Sequence, residues 1–247
     1  MEKIKSLVKK ILSRYGFNQG KITTVKYEIM YLLLFGLQSK NTKIIQIGAE
    51  DGDDLLKKFN NRFKDKISYI GIEPQQNPFN NLKKNYHGFK NFNFLQGCVG
   101  KKGNFEFYYL NNNYKKFCKK NNLKFGEGTS SLIKENLSSR LTKINLNPET
   151  YISKYNLDVF PLQELLKINN IDSNNFKDID LLQVDAEGYD DEVLYNSSID
   201  FFKPKYINFE YKNLTKEKLE SLIKFLNKNS YECLIYQHND CLAARKV

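Results

Sequence analysis

Between Lys43 and Asp54 the sequence runs Lys-Ile-Ile-Gln-Ile-Gly-Ala-Glu-Asp-Gly-Asp-Asp, and no other stretch constrains the fold as much. An apolar run from Ile44 to Ile47 breaks at Gly48, passes Gly52 and enters a helical segment at Asp53. Strand, glycine loop and helix in that order form the unit with which doubly wound α/β proteins bind nucleotides. Glycine lets the backbone come close to a ligand, and the start of the following helix offers free N–H groups. Acids in and just after the turn repel phosphate. They suit a ligand with hydroxyls and positive charge. The glycine spacing also differs from the dinucleotide fingerprint, which argues against a dehydrogenase.

The pattern of strand and helix continues downstream. Ile67–Glu73 reads as a second buried strand, ending on an acid and then Pro74. A carboxylate at that tip can accept both ribose hydroxyls of an adenosine. Helical spacing follows over 53–63 and 75–85, with Phe79 and Leu82 inward. A third strand is expected over 91–99, a turn over 100–103 and a further strand over 104–110. Residues 111–156 are Lys- and Asn-rich and read as an insertion or lid, since so long a bare loop is unusual in a domain. A short extended piece over 159–162, a helix over 163–169 and a strand over 181–185, apolar until its acidic tip, come next. Then follow a helix over 190–195, a strand over 205–211, a helix over 215–227 and a closing hairpin over 231–245. The succession predicts an α/β fold with a mostly parallel sheet, helices on both faces and one antiparallel strand.

The N-terminal residues 1–40 read as a helical extension packed on this domain. Ile4, Leu7, Val8, Ile11 and Leu12 are spaced three and four apart opposite lysines, which also suits a weak peripheral membrane contact through residues 1–14. The longest apolar run, 29–37, is too short to cross a bilayer, and no signal peptide opens the sequence. Cys98, Cys118, Cys233 and Cys241 have no C-x-x-C spacing, so a zinc site is not expected and reduced thiols in a cytoplasmic protein are. The net charge of +11 raises a nucleic-acid partner, but the lysines are spread along the chain and not gathered on one element. Oligomeric state leaves no mark on the sequence.

Three segments carry a resemblance. Gln46-Ile47-Gly48-Ala49-Glu50-Asp51-Gly52, then Gly71-Ile72-Glu73-Pro74, then Leu181 to Gly188 are similar, in order, to the motifs of FkbM-type S-adenosylmethionine-dependent methyltransferases. Cys98 to Gly103 and Thr129 to Leu132 resemble intervening pieces of the same family. The resemblance implies a single Rossmann-like class I methyltransferase domain over 41–247, with a seven-stranded sheet. It implies S-adenosylmethionine as cofactor and O-methylation of a small molecule or glycan hydroxyl. The family usually has an acid where Gln46 stands, so any carboxylate contact there is lost or mediated by water.

In an open α/β sheet ligands bind beyond the carboxyl ends of the strands, and this selects the site. Gly48, Ala49, Glu50, Asp51 and Gly52 are expected to wrap the methionine moiety, Glu73 and Pro74 to hold the ribose, and Cys98 and Val99 to flank the adenine. Ser131 resembles a family serine near the cofactor. Asp185 is expected at the cofactor and at the acceptor, with Glu210 and His238 as further catalytic candidates. Asp185 and Glu187 are spaced to accept a hydroxyl proton, to position the acceptor or to hold a divalent cation. The plainer alternative is that Glu187 caps the next helix and Asp185 orders the loop. No metal is expected. Two rivals remain on the same fold: a nucleic-acid methyltransferase, motivated by the charge, and a non-catalytic scaffold, motivated by Gln46.

Overall fold

The computed structural model describes residues 41–52, 64–123, 129–235 and 239–246. The helices expected over 1–14, 25–37 and 53–63, the packing of residues 1–40 and His238 lie outside them. Within the described residues the principal sheet contains β1 (Thr42–Ile47), β2 (Ile67–Glu73), β3 (Phe92–Gln96), β8 (Leu181–Val184), β9 (Tyr206–Glu210), β10 (Tyr231–Ile235) and β11 (Asp240–Arg245). Their spatial order is β10-β11-β9-β8-β1-β2-β3. β1, β8 and β9 run parallel in succession, as do β2 and β3, while β11 is antiparallel to both of its neighbours. This is the mostly parallel sheet with one antiparallel strand that the sequence pattern predicts, with the seven strands that the family resemblance implies.

Alternation along the strands splits the residues between two faces. Ile45, Ile47, Ile70, Ile72, Leu182, Val184, Ile207 and Phe209 share one core. It is closed by α5 (Leu162–Ile168), α6 (Asp190–Tyr195), α7 (Ile199–Phe202) and α8 (Lys216–Lys228). Leu222 and Leu226, one helical turn apart, bury the inner stripe of α8, whose start is capped by the Thr215 hydroxyl accepting from the Lys218 N–H. On the other face Tyr69 packs on Phe92 and Phe94, and Phe92 meets Tyr86 at the end of α1 (Gln76–Asn85). Buried polar groups on this face are satisfied in pairs. The Tyr69 hydroxyl donates to Gln46 Oε1 at 2.8 Å, and Asn208 donates to Gln183 at 3.1 Å. Gln46 therefore spends its oxygen inside the sheet.

The third strand is shorter than expected. It ends at Gln96 because the chain turns out at Gly97, where an added Cβ would lie 2.8 Å from the Leu165 side chain. Cys98–Val99 is β4 of a second, four-stranded sheet that the sequence reading did not foresee. Its order is β4-β7-β5-β6, with β5 at Gly103–Leu110, β6 at Ser130–Ser131 and β7 at Ile152–Phe160. β5 and β7 pair antiparallel along their length, setting Phe107 opposite Tyr155. The extended piece expected over 159–162 is thus the end of a much longer strand.

Between β5 and β7 the described residues form α2 (Asn112–Lys120), β6, α3 (Lys134–Lys143) and α4 (Pro148–Tyr151). Asn111 caps α2, its side-chain oxygen accepting from the Asn113 and Tyr114 N–H groups. Leu137 and Leu141, four apart, bury one stripe of α3. No described helix is long and apolar enough to cross a membrane.

Candidate active site

The glycine loop is built around left-handed backbone. Gly48, Glu50 and Gly52 have φ of 76°, 47° and 81°. The N–H groups of Gly48 and Ala49 both donate to the Ile72 carbonyl at 3.0 Å, which ties the loop to the end of β2. A Cβ at position 48 would fall 1.8 Å from the Asp185 carbonyl oxygen. Glycine there is what lets the ends of β1 and β8 touch. From the other side the Tyr86 hydroxyl donates to the Gly52 carbonyl, and Asn85 donates to that of Asp51, both at 2.9 Å.

Glu73 stands at the tip of β2, buried, with each carboxylate oxygen accepting a backbone N–H. Glu50 donates to one at 3.0 Å and Gln75 to the other at 2.9 Å. A carboxylate oxygen has a second lone pair, so both remain able to accept from a diol. Burial pushes the Glu73 carboxyl up to about 7, against the lowering effect of those N–H groups. Cys98 lies near enough for the Glu73 charge to be felt. Burial, and then that charge, raise its thiol to about 12. Val99 is fully buried, its side chain taken up in the core.

The loop after β8 is held by side chains from several elements. Glu187 and Gly188 adopt left-handed backbone, with φ of 49° and 95°. Asp190, buried at the start of α6, reaches back to accept from the N–H groups of Ala186 and Gly188. Burial raises the Asp190 carboxyl to about 7. The Glu187 carbonyl accepts from Ser131 Oγ at 3.0 Å and Asn136 Nδ2 at 2.7 Å. Its carboxylate is gripped by both terminal nitrogens of Arg140, a forked ion pair. Asn213 then links Glu187 to Glu210, donating to the latter at 3.0 Å. Glu187 does not cap the following helix, because Arg140 draws its side chain away.

Asp185, Glu187 and Glu210 each present an oxygen within 4.8 Å of the others. Arg140 already neutralises the middle acid. Glu210 pairs in register with buried Asp240 across β9 and β11, so the acidic rim continues to the closing hairpin. Ser130 accepts from Gln75 Nε2 at 2.9 Å, while Ser131 reaches Glu187. The short strand β6 thereby joins the Glu73 turn to the Glu187 loop.

Residues 46–233 match the model of the methyltransferase FkbM domain. The chain belongs to the FkbM methyltransferase family. It is an S-adenosylmethionine-dependent methyltransferase with a Rossmann-like class I fold. No curated protein matches the sequence. Among solved structures the chain is similar to an O-methyltransferase from Bacillus cereus in complex with SAH. The two are 8% identical, with a TM-score of 0.46, covering 98% of this chain and 91% of that one. It is also similar to a precorrin-6y C5,15-methyltransferase from Geobacter metallireducens GS-15, at 9% identity and TM-score 0.43, with 93% of both chains covered. A third is fibrillarin from Aeropyrum pernix with natively bound S-adenosyl-L-methionine, at 11% identity and TM-score 0.42, covering 87% of this chain and 73% of that one.

The donor set of the FkbM domain fits this cofactor. Glu73 is an acceptor for hydroxyls, and the glycine loop and Asp185 surround the junction with carbonyls and acids, which suit a sulfonium and an ammonium group. Sequence reasoning missed Asp190, Arg140, Asn136 and Asn213, which shape the loop carrying Glu187. Asp190 had a signal, an acid opening a helix. The other three had none, since they come from separate elements and converge only in the fold.

Proposed function

We propose that the protein methylates a hydroxyl oxygen of a small molecule or sugar. The observation that carries this reading is the carboxylate group at the strand tips, Asp185, Glu187 and Glu210, with the middle acid held by Arg140. An alcohol is a weak nucleophile, and a carboxylate that accepts its proton as the new bond forms lowers the barrier. When bound, S-adenosylmethionine supplies an electrophilic methyl group on positively charged sulfur. Gly48 to Gly52, including Ala49, Glu50 and Asp51, hold its methionine end, and Glu73 beside Pro74 accepts from its ribose. Cys98 and the Val99 backbone flank the base.

Asp185 adjoins Gly48 and is assigned the double role of bordering the cofactor and orienting the acceptor hydroxyl. Glu210 shares that task from β9, and His238 is a further candidate to accept the proton. Ser131 acts through Glu187, fixing its backbone. Alignment of acceptor oxygen, methyl and sulfur supplies much of the rate in such a displacement.

The test separates binding from transfer. Calorimetry with S-adenosylmethionine should give a micromolar-range affinity that Glu73→Ala weakens by about tenfold or more. Asp185→Asn should abolish transfer of labelled methyl to hydroxyl acceptors while weakening cofactor affinity far less than Glu73→Ala does, with mass spectrometry assigning the methyl to oxygen. A folded protein that binds no cofactor overturns the reading. Methyl found on nitrogen or carbon overturns its O-directed part.

A further inference from the structure

A cleft of about 670 Å³ opens beside the Pro74 turn, between the start of α1, the junction of β5 with α2, and β7. Of the residues assigned to the cofactor Pro74 lines it, while Gly48 to Gly52, Glu73 and Asp185 do not, so it adjoins the rest of that site. Its lining departs from that of most small-molecule pockets, which are largely apolar. Seven side-chain amides face it, among them Gln76, Asn77, Gln96, Asn112 and Asn113. No carboxylate lines it among the described residues, and Lys115 is its one charged group. Tyr109 and Tyr155 meet in the wall with ring centroids 5.7 Å apart.

This chemistry selects among ligands. An amide both donates and accepts, as a sugar hydroxyl does. Gln76, Gln96 and Asn113 donate through nitrogen to Asn80, the Pro74 carbonyl and the Thr150 carbonyl, which leaves their oxygens to accept from hydroxyls. Tyrosine offers an apolar ring with a polar tip, a surface for the C–H face of a pyranose. A cationic ligand lacks a counter-charge in such a lining. A nucleic acid lacks the run of Lys and Arg that neutralises successive phosphates.

We propose that this cleft is a saccharide-binding subsite for a neutral sugar residue of the methyl acceptor. Only its link to methyl transfer rests on the function proposed above. Gln75, which lines the cleft, donates to Ser130, and adjacent Ser131 donates to the Glu187 carbonyl. One two-residue strand therefore joins the sugar subsite to the acidic rim.

The experiment measures glycan retention and cofactor affinity on the same preparation. The full-length protein is applied to an array of neutral glycans ending in hexoses, deoxyhexoses and N-acetylhexosamines, and is titrated with S-adenosylmethionine. Asn112 and Asn77 are exposed, so Asn112→Trp and Asn77→Trp fill the cleft without disturbing the core. The wild type is expected to retain at least one neutral glycan class. Each variant is expected to weaken that binding by about tenfold or more, with cofactor affinity within about twofold of wild type. A wild type that binds cofactor but no glycan overturns the proposal, as does glycan binding indifferent to both variants. Retention of a polyuridine strand that the variants abolish overturns it in favour of a nucleic-acid acceptor. Glycan binding lost in the variants, with no cofactor binding in any sample, leaves the subsite standing and removes the function proposed above.

Discussion

Arg140 holds the carboxylate of Glu187 with both of its terminal nitrogens, reaching from α3 to the loop that follows β8. The segment between β6 and β7 thus supplies the counter-charge for an acid at the rim. Arg140→Ala leaves Glu187, only partly exposed, without that partner and frees a loop in left-handed backbone. The expected result is a fall in kcat of about tenfold or more, with unchanged cofactor affinity and a stability loss of about 1 kcal/mol. Arg140→Lys keeps the charge but not the fork and should recover only part of kcat. Steady-state kinetics with parallel calorimetry check this. Equal loss of cofactor affinity would show that Arg140 supports the whole rim and not the acceptor side.

The same ion pair bears on metal dependence. Asp185, Glu187 and Glu210 are grouped closely enough to ligate a cation, yet Arg140 and Asn213 already satisfy Glu187. A hard divalent ion would have to displace the guanidinium or share its carboxylate at a cost in repulsion. Methyl transfer should therefore be unchanged by EDTA and not stimulated by added Mg²⁺. Loss of activity on chelation, restored by the ion, would assign the three carboxylates to a metal site.

The sequence made the principal sheet legible because its central parallel strands are largely apolar and end at a glycine or an acid, as at Ile44–Ile47 and Leu181–Val184. The second sheet was not read. β7 does alternate, with Tyr155, Leu157 and Val159 between Lys154, Asn156 and Asp158, but it lies in a Lys- and Asn-rich region whose composition resembles loop. Strand partners far apart in sequence, such as Phe107 and Tyr155, cannot be inferred from either strand alone. At the site, glycines and strand-tip acids announced their positions. The network around Glu187 did not, because Arg140, Asn136 and Asn213 are ordinary surface residue types whose meaning depends on three-dimensional convergence.

Gly48 gives a test of the junction between β1 and β8. Its φ of 76° disfavours any side chain, and a Cβ would overlap the Asp185 carbonyl. Neither atom belongs to a flexible side chain, so relief requires the two strand ends to separate. Gly48→Ala should cost about 3 kcal/mol or more and lower the melting temperature by about 6 °C or more. Differential scanning calorimetry measures it. A variant as stable as wild type would mean that the two strand ends do not approach as described.

Glu73 yields opposite pH dependences for folding and for binding. Its carboxyl is raised from 4.5 to about 7 by burial. Between those values the folded protein keeps a proton that the unfolded chain has released, so stability falls as pH rises through that window. Buried Asp190, raised from 3.8 to about 7, adds a slope of the same sign, and Glu73→Gln should remove only part of it. The cofactor asks the reverse. Ribose hydroxyls donate best to an ionised carboxylate, so affinity for S-adenosylmethionine should rise by about tenfold from pH 6 to pH 8. In Glu73→Gln that rise should vanish, because a neutral amide has no proton to lose. Calorimetric titrations across the range give both profiles. A wild-type affinity that is flat from pH 6 to pH 8 would remove Glu73 from the ribose, leaving it only as the acid that orders the glycine loop and the Gln75 turn.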